Sequence, residues 1–200
     1  MCSFIVTNKI FDETELSSIN HFTQLRGPDV TKVKNINGFT FVHNLLSITG
    51  DLIPQPFVKD SVVCVYNGEI YNYDREKYKS DGECLIDLYE THGDTFTQKL
   101  DGEFAVVLFD FEKNKYIIST DVFATKPLWY GESDGGIAIA TYQTPVTKLG
   151  VPSATKLKAN TIQVYDLTTN ELQAQHEVFT FDLTQQKTDF SDWTKAFESS

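Results

Sequence analysis

The stretch Glu-Phe-Ala-Val-Val-Leu-Phe-Asp-Phe at 103–111 restricts the fold more than any other part of the chain. Residues 104–109 are apolar without a break, the pattern of a strand that is buried on both faces and wetted on neither. Such a strand needs a cover above and below it. A Lys-Asn-Lys turn signal at 113–115 follows, then the strand-like run 115–120, so the two should form a hairpin. Further short runs of strand character lie at 3–8, 38–43, 61–66, 137–141 and 160–166, with a second hairpin expected over 162–176. Gly135-Gly136 reads as another hairpin turn.

Helical periodicity is confined to a few places. Residues 12–25 set Leu16, Ile19, Phe22 and Leu25 near one stripe. Residues 80–93 carry a stronger signal: Ser80 and Glu83 have capping-box spacing, Leu85, Leu88, Tyr89 and His92 share a face, and Gly93 suits the helix end. Strands outnumber helices, and the helices fall between groups of strands. The expectation is an α+β fold with stacked sheets. Residues 1–182 read as one domain; 183–200 read as a polar linker and the cut-short start of a following amphipathic helix or domain.

Net charge is -11 and no Lys/Arg-rich run is present, which disfavours nucleic acid and acidic membranes as partners. No secretory leader and no membrane-length apolar run is visible, so a cytoplasmic protein is expected. Cys2, Cys64 and Cys84 are odd in number and widely spaced, as are His21, His43, His92 and His176. That spacing argues against a disulfide framework and against a metal site. Cys64 in a strand run and Cys84 in a helix are expected to be buried small hydrophobes.

Two short stretches carry chemistry. Cys2 directly precedes a strand-like run; removal of Met1 would give it a free α-amine and a thiol on one residue. In Val-Tyr-Asn-Gly-Glu-Ile-Tyr-Asn-Tyr at 65–73, a strand is expected to end at Tyr66, with Asn67-Gly68 in a tight turn of positive φ. There the Gly68 N–H and the Asn67 side chain would supply two converging donors, as in an oxyanion hole. A plain turn between strands is the competing reading.

Taken together, Met-Cys-Ser at 1–3, Arg-Gly-Pro-Asp at 26–29, His-Asn-Leu-Leu-Ser-Ile at 43–48, Gln-Pro-Phe at 55–57, Asn-Gly-Glu-Ile-Tyr-Asn at 67–72, Ser-Asp-Gly-Glu at 80–83, 100–110 and 120–130 follow a family order. The chain resembles the class II glutamine amidotransferases, most of all the N-terminal glutaminase half of asparagine synthetases. The resemblance implies a four-layer αββα sandwich of the N-terminal-nucleophile hydrolase type. It implies that Cys2 attacks the side-chain amide of L-glutamine, with its own α-amine as base, and that Asn67 and Gly68 hold the oxyanion. Asp81 and Glu69 would meet the substrate's ammonium. The segment Leu45, Leu46, Ser47 and Ile48 would lie at its α-carboxylate, with backbone donors in 45–49 available. No cofactor or metal is implied. Ammonia would pass to an ATP-dependent synthetase domain or subunit, whose phosphate loop this sequence does not contain.

Against the family pattern, Leu45 stands where an arginine grips the α-carboxylate. Loss of one such contact should cost about 1.5–3 kcal/mol, a factor of about 10 to 150 in affinity. Arg26 or a nearby lysine is one substitute. Leu45 leaves two other functions open: an inactive glutaminase-fold scaffold or interaction domain, and a hydrolase for an amide without an α-carboxylate. Lys126, Trp129 and Tyr130 are expected to pack rather than to catalyse.

Overall fold

The computed structural model describes residues 2–48, 51–184 and 189–199. In sequence order the elements are β1 (Ser3–Thr7), α1 (Glu13–Gln24), β2 (Val30–Ile36), β3 (Phe39–Leu45), β4 (Phe57–Lys59), β5 (Val62–Ile70), α2 (Cys84–His92), β6 (Gly102–Asp110) and β7 (Lys115–Thr120). After these come β8 (Trp129–Ser133), β9 (Gly136–Ala140), α3 (Gln143–Lys148), β10 (Thr155–Lys156), β11 (Thr161–Asp166), β12 (Leu172–His176) and α4 (Ser191–Ser199). They build two six-stranded sheets, ordered β10-β8-β9-β1-β3-β2 and β12-β11-β7-β6-β5-β4.

The unbroken apolar run becomes β6, held between β5 and β7. Ala105, Val107 and Phe109 point into the space between the sheets, where Phe4, Phe39 and Phe41 come from the first sheet. Phe104, Val106 and Leu108 point the other way, against Leu85, Tyr89 and Phe96 of α2 and the 3-10 segment after it. Each such side chain, fully removed from water, contributes about 1.5–3 kcal/mol. On the outer face of the first sheet, Ile5, Val42, Ala138 and Ala140 pack under α1 and α3. The order is helix, sheet, sheet, helix, so the doubly buried strand has its two covers. Cys64 and Cys84 are buried in the α2 layer, as read from their neighbours in sequence.

Helix α1 corrects one expectation. Its buried residues are Ile19, Asn20 and Thr23, whereas Phe22 and Leu25 are exposed. The reason is a polar one. Asn44 sits buried on the outer face of β3, and a buried amide must be paired. Asn20 and Asn44 exchange side-chain hydrogen bonds at 3.0 and 2.8 Å, and Asn44 also donates to Ser3 Oγ at 2.9 Å. Ser3 Oγ in turn donates to the Thr23 carbonyl at 2.7 Å. The helix is turned to serve this network, which fastens the start of β1 and with it the adjoining Cys2.

His43 lies on β3 with 0% exposure, and neither ring nitrogen has a hydrogen-bond partner. Burial lowers its pKa from 6.5 to about 3 and outweighs the opposing influence of the Tyr66 backbone. The unfolded protein therefore takes up this proton first. Stability should be full above pH 6.5 and fall as pH drops toward 3, at up to about 1.4 kcal/mol per pH unit for one proton. Urea unfolding of the native protein and of His43→Leu at pH 7 and pH 4.5 checks this: the acid loss should be smaller in the variant, and equal losses would assign it elsewhere.

At the C-terminal end, Phe190 just before α4 and Trp193 and Phe197 within it are at least 80% exposed. The expected linker over 183–200 lies partly outside the described residues, at 185–188 and 200.

Candidate active site

A cleft opens where the ends of β1, β3 and β5 meet the turn that leads into α2. Cys2, Leu45, Leu46, Ser47 and Ile48 line one side, and Gly68, Glu69, Ser80 and Asp81 the other, with Asp51, Ile53, Gln55, Phe57 and Tyr66 completing the wall. Of the site residues expected from sequence, only Asn67 is absent from this lining. Thr49 and Met1 lie outside the described residues. The cleft is narrow, with about 30 Å³ of cavity volume, on the scale of a few waters.

Asn67-Gly68 is not a turn. Both residues lie inside β5, paired with Ala105 and Phe104 of β6, and neither has a positive φ. Glycine is needed here for closeness instead. A Cβ on Gly68 would sit 2.2 Å from the Glu103 carbonyl oxygen and 2.8 Å from Phe104 Cα. The dipeptide statistics of Asn-Gly pointed to a turn, but pairing with Ala105 and Phe104 of β6 carries the strand through it. Asn67 is 1% exposed, and neither Nδ2 nor Oδ1 meets a protein partner. An unpaired buried amide costs about 1–3 kcal/mol, so the fold tolerates a group that its own packing does not use.

The Cys2 sulfur sits 3.5 Å from the Leu46 N–H and 3.6 Å from the Leu46 carbonyl oxygen. Burial pushes the thiol pKa up; the Leu46 backbone pulls it down, while Asp81 and Glu69 push it up. The two carboxylates are thus felt at the sulfur.

Asp81 begins the 3-10 turn before α2, where the capping role belongs to Glu83, whose Oε2 accepts from the Ser80 N–H at 2.9 Å. The buried Asp81 carboxylate accepts the Tyr66 hydroxyl, the Ile70 N–H at 2.8 Å and the Gly82 N–H at 2.9 Å. Three of its roughly four acceptor positions are thereby used, leaving one. Tyr66 went unremarked in the sequence because only the fold brings it to Asp81. Its own N–H lies beyond the end of β4 and is taken by Gln55 Oε1 at 2.7 Å; the Gln-Pro-Phe motif was the one sequence signal for that contact.

Glu69 stands opposite Glu103 in the β5–β6 register. Like charges so placed repel, and Lys126, 4% exposed, answers Glu103 with a contact of 2.5 Å. Lys126 is therefore a buried counter-charge rather than simple packing. Arg26 is not in the cleft: it donates to the Tyr142 hydroxyl and lies 5.2 Å over that ring. Among the described residues, no group of three or more His, Cys, Asp or Glu is placed to hold a metal, and no helix is long and apolar enough to cross a membrane.

The family model of the glutamine amidotransferase domain matches residues 1–185. The chain belongs to that family. Within it, the chain is 37% identical over 120 residues to "Asparagine synthetase [glutamine-hydrolyzing] 2" of Bacillus subtilis (strain 168), covering 54% of this chain and 16% of that protein. It is 30% identical over 158 residues to the probable asparagine synthetase of Dictyostelium discoideum, covering 68% of this chain and 28% of the relative. The chain thus spans less than a third of the length of these relatives. Among solved structures, the glutamine phosphoribosylpyrophosphate amidotransferase from B. subtilis superposes with a TM-score of 0.63 at 14% identity, over 90% of this chain and 50% of that one. The amidotransferase domain accordingly shares that structure's fold, a layered αββα sandwich.

Proposed function

We propose that this amidotransferase domain hydrolyses a side-chain carboxamide, that of L-glutamine in the first instance, through a thioester on Cys2. With Met1 removed, the α-amine of Cys2, with an ordinary pKa of about 7.7–8.0, takes the thiol proton near neutral pH without a histidine. The sulfur attacks the amide carbon, and the Asn67 side chain and Gly68 N–H receive the charge that develops on oxygen. The proton returns to the leaving nitrogen, ammonia departs, and water releases the acid from the thioester. Asp81, through its remaining acceptor position, and Glu69 receive the substrate's ammonium. Because the cleft is narrow, entry of an amino acid displaces the Leu46–Ile48 wall. The ammonia goes to a synthetase domain or subunit, as the names of the relatives suggest, with residues 1–182 as the hydrolytic unit and 183–200 as the link onward.

The observation that carries this reading is the buried, unpaired Asn67 carboxamide, next in sequence to Gly68, which lines the Cys2 cleft. A group kept for folding would be paired; one kept for an oxyanion would not be until substrate arrives. Asn67→Ala should lower kcat by about 10²- to 10³-fold. It should change stability little, because relief of the unpaired amide offsets the cost of the cavity that the truncation leaves. Coupled glutamate assays and thermal unfolding of both proteins read this out; a stability loss with kcat intact would reverse the assignment.

A further inference from the structure

The charges that line the cleft limit what it accepts, given that the thioester reading of the same site holds. Asp51, Glu69 and Asp81 line it, and no lysine, arginine or histidine does among the described residues. The rest of the wall is uncharged: apolar at Leu45, Leu46, Ile48 and Ile53, and polar at Ser47, Gln55, Tyr66 and Ser80. Two backbone donors beside the cleft are already engaged. The Leu46 N–H is directed at the Cys2 sulfur at 3.5 Å, and the Ser47 N–H donates to Asp29 Oδ2 at 2.8 Å. The Leu45 strand position is paired with Val30 in β2.

A protonated amine entering this space meets carboxylates, and Asp81 has an acceptor position to spare. A carboxylate entering it meets like charge and, among the described residues, no cationic side chain to offset the loss of its hydration. We infer that the cleft selects carboxamides that carry a protonated amine and a neutral group in place of the carboxylate, such as glutamine whose α-carboxyl is held in an amide or ester. The reaction is unchanged: the bond between carbon and nitrogen in the terminal amide breaks, ammonia leaves, and water supplies the new C–O bond.

Three probes separate the groups: L-glutamine, its α-N-methylamide, and N-acetylglutamine. The N-methylamide is chosen because only its terminal amide can release ammonia. Binding is measured by calorimetry on the Cys2→Ala variant of the whole protein, and ammonia release on the native protein. The N-methylamide should bind at least about tenfold more tightly than glutamine, the scale of one charge-assisted contact, and N-acetylglutamine should not bind. Leu45→Arg, folded by circular dichroism, should bring glutamine level with or ahead of the N-methylamide. Equal or tighter binding of glutamine by Cys2→Ala, or binding of none of the three, would overturn the inference even if native turnover of glutamine is found. The expected binding order without ammonia release from the native protein would keep the specificity and reject the thioester chemistry.

Discussion

Cys2→Ala is expected to abolish amide hydrolysis while leaving the fold as it is. The side chain is half-buried at the cleft, and its polar contacts are two weak ones to the Leu46 backbone. Neither contact holds the sheet together: β1 is fastened one residue further on, through Ser3, Asn44 and Thr23. Removing one sulfur should therefore cost less than about 1 kcal/mol and shift the melting temperature by about 2–4 °C at most. Turnover should fall to blank, since no second thiol lines the cleft among the described residues, and the hydroxyls of Ser47, Tyr66 and Ser80 are far weaker nucleophiles. The accompanying mass should show a mature native protein without Met1. Ammonia release that survives the substitution, or a fully active protein that retains Met1, would rule out the amine-assisted thioester.

Gly68→Ala should damage both fold and activity. The added carbon would lie 2.2 Å from the Glu103 carbonyl oxygen, a backbone atom of the neighbouring strand. No rotamer relieves a backbone clash, so β5 and β6 must part at the Gly68–Phe104 pair, in the strand that joins two buried layers. Overpacking of this kind costs about 1–3 kcal/mol or more, a fall in melting temperature of about 2–12 °C. The same displacement moves the proposed Gly68 donor off the oxyanion. Turnover should drop about 10²-fold or more even at temperatures where the variant is folded. Thermal scans paired with assays well below the transition distinguish the two losses; a folded Gly68→Ala with native turnover would remove Gly68 from the chemistry.

The amino-acid sequence by itself determined the doubly buried β6, the hairpins around Asn114 and Gly135, the capped start of α2 and the layered α+β class. These are local matters, written in runs of apolar residues, in turn residues and in capping spacing. It also carried the motifs that place Cys2 and Asp81 in one family pattern, and the departure from that pattern at Leu45. Only the tertiary structure decided the rest. It turned α1 so that Asn20 meets Asn44, a choice made by a buried amide 24 residues away rather than by the helix's own stripe. It kept Asn67-Gly68 in a strand, because pairing with β6 outweighs the turn preference of the dipeptide. It set Tyr66 on Asp81 and Lys126 on Glu103, contacts between residues whose spacing in sequence carries no periodic signal. The balance of charge in the cleft is of the same kind: carboxylates from three separate segments become one field only when the sheets stack and bring them together.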